Sequence, residues 1–406
     1  MAYMNTERLY NKIKAANLDA FVIFKPENFY YTTGFQNYYG GVATGVVRHA
    51  HAIVVIPADE TLDPTMIINS WEEVQARENA WFKDIRSFPT WIEIFYLQDL
   101  LENRTKFIKK PVQYDMERNI IMLIEILREK GLENGRLGIE LDYISQKAFS
   151  LLIKYLPKAH FVDSSDILFD IQAVKTAKEI EILTEATRMT QKATLALTED
   201  NLHGASVGEI KLRYQLAALK EAAANPSLGF QEAKMSISIG SDFSPKISNI
   251  SYRAAMGDII FLDVGVILKG YQADIGRSMV VGKPNDFQKK INSILKKGLE
   301  NMLFAIKPGA KCCDIFNIGE KTIHEGGLDS YARGHLGHAV GVGKHERPPF
   351  IAPSDETILE PGMVLSIETP LYIHGAGGFM IEDTIVTTDD GYDLLSDWPR
   401  DLIEVS

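Results

Sequence analysis

The chain has 406 residues, 46% of them hydrophobic, and this length predicts two domains rather than one. The formal net charge of −11 argues against a nucleic-acid partner, because such proteins normally carry a basic patch. The two cysteines, Cys312 and Cys313, are adjacent in sequence, which excludes a disulfide framework. There is no signal-peptide core and no run of about 18 apolar residues, so we expect a cytoplasmic protein without a membrane partner.

The first part of the chain alternates between helical and strand-like patterns. This alternation predicts an α/β N-terminal domain over residues 1–166. The predicted helices are Glu7–Asn17, Ile120–Lys130 and Ser145–Tyr155, and the predicted strands are Asp19–Phe24, Ala52–Ile56 and Met66–Ile68.

A second, α+β domain is predicted over residues 167–406. A charged helix begins near Val174, and helices continue to about Ala224, with Ser206 and Glu209 in the spacing of a capping box. The remainder has mostly strand and turn patterns. It contains one further predicted helix, Asp286–Ala305.

Two aspartates lie in apolar runs that the sequence predicts to be paired strands. Asp263 and Asp274 flank a predicted turn near Leu268–Gly270. A turn centred between Leu268 and Lys269 would place the two side chains directly opposite, about 4.5–5.5 Å apart. A turn centred one residue later would need a bulge to restore that facing. An ionised aspartate buried there is costly unless it is paired or bound to metal.

Further candidate ligands follow in three short segments. His335, His338 and His345 lie within eleven positions of a glycine-rich stretch, and glycine lets backbone approach a ligand closely. Glu368 and Glu382 each lie in an apolar strand, as expected of antiparallel neighbours that direct carboxylates to one point. Carboxylates gathered in this way repel each other unless cations hold them, which favours two divalent ions.

Taken in order, these segments resemble the pita-bread metalloenzyme family, which includes aminopeptidase P, prolidase and creatinase. The resemblance is carried by Asp-x10-Asp, Gly-His-x6-His-Glu, Glu-Thr-Pro and Ile-Glu-Asp. Residues 1–166 look like the creatinase/prolidase N-terminal domain, and residues 167–406 like the pita-bread catalytic domain. The resemblance implies two divalent ions, Mn or Co before Zn or Fe, with five ligands: Asp263, Asp274, His338, Glu368 and Glu382.

The resemblance also implies roles for these residues. Asp274 and Glu382 would bridge the two ions, and a bridging water would attack an amide carbon. Glu368 would also relay a proton. His345 would contact the substrate and stabilise a developing oxyanion, and His335 is a further catalytic candidate.

Three positions depart from the pattern of relatives that act on proline peptides. Lys246, Gly334 and Met380 stand where those relatives carry His, His and Arg. Lys246 and Met380 remain substrate-binding candidates. The departures leave two enzymatic readings open. The protein is either an Xaa-Pro peptidase, or a hydrolase or lyase of a small non-peptide molecule such as ectoine, creatine or dimethylsulfoniopropionate. A non-catalytic binding module of the same fold is a third reading.

The family also suggests how the substrate is enclosed. Relatives place the N-terminal domain over the active site of a partner, so we expect a homodimer that binds a small molecule or a short peptide. Arg48, His49 and His51 are candidates to line the entrance. The aromatic tract Phe29–Tyr39 is expected to pack in the core, and His374 is expected on a loop surface.

Overall fold

The computed structural model describes residues 4–35, 52–104, 110–113, 115–243, 251–343 and 347–406. The chain divides into two compact units between Gln172 and Ala173. Each unit has its own sheet and its own hydrophobic core. Within the described ranges, no helix is long and apolar enough to cross a membrane.

The N-terminal unit is built on one six-stranded sheet. Its strands are β1 (Ala20–Ile23), β2 (Ile53–Pro57), β3 (Thr65–Asn69), β4 (Asp84–Phe88), β5 (Arg136–Ile139) and β6 (His160–Asp163). Its helices are α1 (Thr6–Ala15), α2 (Pro26–Thr33), α3 (Glu73–Asn79), α4 (Leu97–Leu101), α5 (Met116–Glu129) and α6 (Gln146–Tyr155), and α7 (Ile167–Ala173) follows them.

Strand β1 lies inside this sheet, whose order is β4-β3-β2-β1-β5-β6. It pairs antiparallel with β2 and parallel with β5, and all four of its residues are buried. A strand covered on both faces needs a continuous apolar run rather than an alternating one. The structure confirms the predicted α/β architecture and all six helices and strands predicted for this part of the chain, apart from small differences at their ends. Phe29, Tyr31 and Phe35 are buried, as predicted for the aromatic tract, whereas Tyr30 is half-buried; residues 36–39 lie outside the described residues.

The C-terminal unit holds every described candidate ligand. Its helices are α8 (Ala177–Leu195), α9 (Val207–Ala224), α10 (Asp286–Ala305) and α11 (Cys312–Glu325). Its strands are β7 (Phe230–Ile239), β8 (Ile259–Leu268), β9 (Tyr271–Gln272), β10 (Ile275–Val281), β11 (Gly337–Ala339), β12 (Arg347–Phe350), β13 (Val364–Glu368), β14 (Leu371–Ile373), β15 (Gly377–Phe379), β16 (Glu382–Thr387), β17 (Tyr392–Leu394) and β18 (Ile403–Val405).

The main sheet of this unit has the order β12-β11-β13-β16-β10-β8-β7. Leu365 and Ile367 of β13 and Ile385 of β16 belong to a core cluster that includes Leu295 and Leu299 of α10. Because side chains alternate along a strand, Ser366, Glu368, Glu382 and Thr384 point to the opposite face. The helices α10 and α11 therefore cover one face with apolar side chains, and the candidate ligands occupy the other.

Helix starts in this unit follow their capping residues. Thr176 and Glu179 form a reciprocal capping box at α8, and Ser206 and Glu209 form the predicted one at α9. The prediction of one further helix beyond α9 is wrong, because α11 begins at Cys312. Cys312 is buried at that helix start.

Candidate metal centre

Asp263 lies on β8 and Asp274 lies between β9 and β10, and a tight turn joins β8 to β9. Lys269 and Gly270 both adopt left-handed backbone conformations, with φ of 47° and 79°, as a two-residue hairpin turn requires. Leu268 pairs with Tyr271, so the turn centres one residue later than it would if Asp263 and Asp274 faced each other directly. No bulge interrupts the pairing of β8 with β9 and β10.

The register sets the relation between the two aspartates. Asp263 pairs with Gly276, so Asp274 is its diagonal neighbour rather than its direct opposite. Direct facing, which the sequence made conditional on the turn, does not occur. Diagonal neighbours in an antiparallel pair are about 7–8 Å apart at their backbones, which is still within reach of side chains that bind a common group.

Glu368 and Glu382 are direct neighbours across two strands. They pair in register between β13 and β16, and both are buried. This confirms the prediction that the two glutamates lie on antiparallel neighbours. Gly276 of β10 pairs with Glu382, and a Cβ at Gly276 would lie 3.1 Å from Glu382 Oε2. The glycine therefore leaves the space that the Glu382 carboxylate occupies.

His338 reaches the same place from β11. Its backbone pairs with Ser366, and its ring is buried. Ring atom Nδ1 lies 3.2 Å from the Ala339 carbonyl oxygen, which fits Nδ1–H as donor and assigns Nε2 as the ring's acceptor nitrogen. Nε2 lies 3.9 Å from Asp274 Oδ2.

Three of the five predicted ligands form a compact donor set. Asp274, His338 and Glu382 each offer one ligand atom, and these atoms all lie within 4.8 Å of one another. Two carboxylates and one imidazole suit Mn²⁺, Co²⁺, Zn²⁺ and Fe²⁺. The donor chemistry and the burial of His338 and Glu382 therefore fit a divalent cation. Asp263 and Glu368 lie beside this group and are not part of it.

The carboxylate of Glu368 is directed to an imidazole and a guanidinium. His335 Nε2 lies 3.0 Å from Glu368 Oε1, and Arg333 Nη2 lies 3.4 Å from the same oxygen. Burial acts to raise the pKa of Glu368, but the His335 hydrogen bond and the charges of His338 and Arg333 outweigh it. The pKa of the carboxyl is therefore held below its usual value, and Glu368 stays ionised.

Two tyrosines and one arginine adjoin this centre and were not predicted. Burial raises the pKa of Tyr214, and the charges of Asp274 and Asp263 raise it further. Burial also raises the pKa of Tyr372. The charge of Arg333 acts to lower this pKa, and the charges of Glu368, Asp263 and Glu382 act to raise it. Both phenols therefore feel the negative charge of the candidate ligands. Arg333 could have been noticed in the sequence, because it is a guanidinium at the start of the glycine-rich segment.

The remaining predicted site residues fall into three groups. Lys246 and His345 lie outside the described residues. Gly334 is exposed, and a side chain added there would meet nothing within 4 Å. Met380 is only 2% exposed and packs on Gly276, whose added Cβ would lie 2.4 Å from Met380 Cγ.

Of the candidates for the substrate entrance and of His374, only His374 is described. Arg48, His49 and His51 lie outside the described residues. His374 is exposed in the connection between β14 and β15, as predicted, and its ring centroid lies 5.6 Å from that of Phe243.

Comparison with protein-family models identifies the class of protein. The model described as metallopeptidase family M24 matches residues 181–389, more than half of the chain. The model of the creatinase/prolidase N-terminal domain matches residues 6–174. The chain belongs to metallopeptidase family M24. It is a hydrolase, and membership of this family implies divalent metal ions.

Individual relatives extend the similarity over both units. The Xaa-Pro dipeptidase of Pyrococcus furiosus is 27% identical over 404 residues, covering 98% of this chain and 99% of that protein. The Xaa-Pro dipeptidase of Pyrococcus horikoshii is 32% identical over 284 residues, covering 68% and 77%. The crystal structure of the prolidase from P. horikoshii matches with a TM-score of 0.77 at 25% identity, over 98% of this chain and 99% of that one. The predicted creatinase-like N-terminal unit and pita-bread C-terminal unit are confirmed.

Proposed function

We propose that the protein is a dinuclear, metal-dependent dipeptidase that cleaves the amide bond preceding proline. The observation that carries the proposal is the donor set of Asp274, His338 and Glu382, whose ligand atoms lie within 4.8 Å of one another. The similarity to two Xaa-Pro dipeptidases supports the choice of substrate. A non-catalytic module would have no reason to hold like-charged carboxylates together.

Asp263 and Glu368 would complete the ligand set for a second ion. Asp263 lies on the neighbouring strand as the diagonal neighbour of Asp274, and Glu368 lies directly across from Glu382. An oxygen-rich set with one imidazole favours Mn²⁺ or Co²⁺ over Zn²⁺ or Fe²⁺. Divalent ions held there would supply Lewis-acid activation of water and of the scissile carbonyl.

The residues of this chain would handle the proton. In the cleavage, the oxygen of water bonds to the amide carbon, the C–N bond breaks, and a proton passes from water to the leaving proline nitrogen. Glu368 is suited to carry that proton at Oε1, because it is ionised and His335 lies 3.0 Å away to stabilise either protonation state. His345 remains a candidate to stabilise the developing oxyanion.

The assembly that we propose is a homodimer. Its basis is the family resemblance, in which the N-terminal domain covers the active site of a partner. Sedimentation of the purified protein tests this directly, since a species of twice the chain mass is expected at micromolar concentration. A monomer at that concentration would contradict it.

The activity is tested with protein stripped of metal by a chelator and reloaded with Mn²⁺. We expect release of free proline from Ala-Pro, measured by chromatography, and its loss on Asp274→Asn or Glu382→Gln. Glu325→Gln is the matched control, because its side chain is 68% exposed at the end of α11. Retention of full activity in both site variants would overturn the proposed centre.

The same assay separates the peptide reading from the small-molecule reading. Ectoine, creatine and dimethylsulfoniopropionate are offered to the reloaded protein beside Ala-Pro. Turnover of one of these molecules, with none of Ala-Pro, would keep the metal centre and refute the peptide substrate.

A further inference from the structure

Two residues of the donor set lie on segments that are hydrogen-bonded to each other away from the centre. Asp274 follows closely after Tyr271 of β9, and Val342 follows closely after His338 of β11. Tyr271 and Val342 form an isolated antiparallel bridge, and the two backbone hydrogen bonds that flank it are each 3.0 Å long. The contacts that hold this bridge therefore also set the separation of the two ligand segments.

The Tyr271 side chain connects the bridge to the start of α8. Its hydroxyl donates to Glu179 Oε1 at 3.1 Å, and both residues are only 1% exposed. The other carboxylate oxygen of Glu179 accepts the backbone N–H of Thr176 at 2.8 Å, as part of the capping box. Glu179 is thus fixed by its own helix and in turn fixes the Tyr271 side chain.

Two buried basic side chains reach the same bridge from other elements. Arg347 of β12 donates from Nη2 to the carbonyl oxygen of Val342. Lys175, just before α8, donates to the Ala173 carbonyl oxygen at 3.1 Å. It packs beside Gly341, where an added Cβ would lie 3.6 Å from Lys175 Cε. The bridge therefore lies within a buried polar cluster to which α8, β9 and β12 all contribute.

Stability alone does not account for such a cluster. Replacing buried ionic groups by apolar residues of similar volume is often neutral or stabilising. Groups that orient a metal ligand, in contrast, commonly contribute about 10–100-fold to metal affinity without touching the ion. The place of the cluster, at the junction of the segments that carry Asp274 and His338, fits this second role.

We propose that Glu179, acting through the Tyr271 hydroxyl, is a positioning residue for the metal centre. It holds β9 against the glycine-rich segment that follows β11, and so keeps Asp274 and His338 at the separation that a shared divalent cation requires. The inference rests on the proposed metal-dependent function and adds to it two residues outside the ligand set.

The first test removes only the Tyr271 hydroxyl. When chelator-treated protein is titrated with Mn²⁺ in a calorimeter, we expect Tyr271→Phe to bind at least one ion about 10-fold more weakly than the wild type. Tyr155→Phe is the matched control, because the Tyr155 hydroxyl donates to a glutamate, Glu117, at 2.5 Å in the N-terminal unit. Denaturant titration without metal shows that both variants are folded before their affinities are compared.

A second pair of variants tests the hydrogen bond rather than the packing. Glu179→Gln keeps an oxygen that can accept from Tyr271, and glutamine also serves in a capping box. Glu179→Leu keeps a similar volume and removes the acceptor. We expect Mn²⁺ affinity close to that of the wild type in Glu179→Gln, and about 10-fold weaker in Glu179→Leu. Equal affinities in these two variants would show that Glu179 does not act through this bond.

Metal affinity also separates this inference from the proposed activity. If the wild type binds Mn²⁺ but does not cleave Ala-Pro, the dipeptidase function fails, and a weaker affinity in Tyr271→Phe still supports the positioning role. If the wild type cleaves Ala-Pro and Tyr271→Phe binds Mn²⁺ as tightly as Tyr155→Phe does, the positioning role fails and the function stands.

Discussion

Two adjacent buried carboxylates on β16 have opposite surroundings. Asp383 contacts two guanidinium groups, with Arg277 Nη2 and Arg400 Nε each 2.5 Å from its oxygens. Glu382 instead lies with another carboxylate and an imidazole, its ligand atom within 4.8 Å of those of Asp274 and His338. Successive strand residues point to opposite faces, so one segment serves both environments.

The groups around a buried carboxylate indicate its role. Arg277 also donates to the backbone carbonyls of Glu382, Pro399 and Trp398, so the Asp383 cluster ties the C-terminal segment to the sheet. Side chains of the protein balance the charge of Asp383. The carboxylates of Asp274 and Glu382 approach each other, and such an arrangement is favourable when a cation is bound. We therefore assign the first cluster to stability and propose that the second binds metal.

The first prediction concerns the cluster of Asp383 with Arg277 and Arg400, where we expect the greatest loss of stability. Asp383→Asn leaves the buried Arg277 guanidinium and the partly exposed Arg400 without a charged partner, and we expect a loss of about 3–5 kcal/mol in the free energy of unfolding. Denaturant titration of the metal-free protein measures this. Asp393→Asn, at an exposed position of β17, should be neutral. A stability loss below 1 kcal/mol for Asp383→Asn would show that the cluster does not stabilise the fold.

The second prediction concerns Glu382→Gln, which we expect to lose activity and to keep its stability. Loss of residues that merely support metal ligands commonly costs 10–100-fold, so loss of a ligand should lower kcat/KM for Ala-Pro by more than about 100-fold. The metal-free variant should be as stable as the wild type or more so, because a like charge has been removed. A strongly destabilised metal-free variant would place Glu382 in the same category as Asp383.

A third prediction concerns the support of the metal cluster. The Ser366 hydroxyl donates to the Asp274 carbonyl oxygen at 2.8 Å, and Thr384 donates to the same atom. Ser366→Ala should lower Mn²⁺ affinity about 10-fold, as outer-shell changes do, and should cost about 1 kcal/mol of stability. Calorimetry and denaturant titration measure the two effects, with exposed Ser293→Ala as the control. Unchanged affinity would mean that Asp274 is held by other contacts.

The fourth prediction concerns Lys175, a third buried ionisable side chain. Burial lowers the pKa of Lys175 to about 7. The charge of Glu179 acts to raise this pKa, and the charge of Arg347 acts to lower it. The unfolded chain keeps this proton until about pH 10.4, so it binds more protons than the folded state between those limits. The free energy of unfolding should therefore rise with pH in that window, by at most about 1.4 kcal/mol per unit.

The control for this pH dependence is a variant pair. Lys175→Met should show a smaller slope of stability against pH from 7 to 10, whereas Lys178→Met, at an exposed position of α8, should keep the wild-type slope. Equal slopes in the wild type and Lys175→Met would show that Lys175 stays protonated in the folded protein.

Much of the fold could be predicted from hydrophobic period and capping chemistry. Short apolar runs predicted β1, β2 and β3, and the Ser206–Glu209 spacing predicted the start of α9. The sequence of α11 has buried residues at Cys312, Ile315, Phe316 and Ile323, which is a helical period. This period indicates a helix, so the prediction of strand and turn for this segment was wrong.

The candidate site was predictable in composition but not in detail. Buried glutamates in strands are unfavourable by propensity, and this singled out Glu368 and Glu382. The hairpin register was not predictable, because the turn places Lys269 in a left-handed conformation that non-glycine residues seldom adopt. Tyr372 lies on a separate hairpin and Tyr214 on α9, and one sequence has no local signal that these elements come near the carboxylates.

Calorimetric titration of the chelator-treated protein with Mn²⁺ tests whether the cluster of Asp274, His338 and Glu382 binds metal. We predict two ions per wild-type chain, loss of at least one ion in Glu382→Gln, and no change in Glu325→Gln. A wild-type protein that takes up no Mn²⁺, or a Glu382→Gln variant that binds it with wild-type stoichiometry and affinity, would contradict this account.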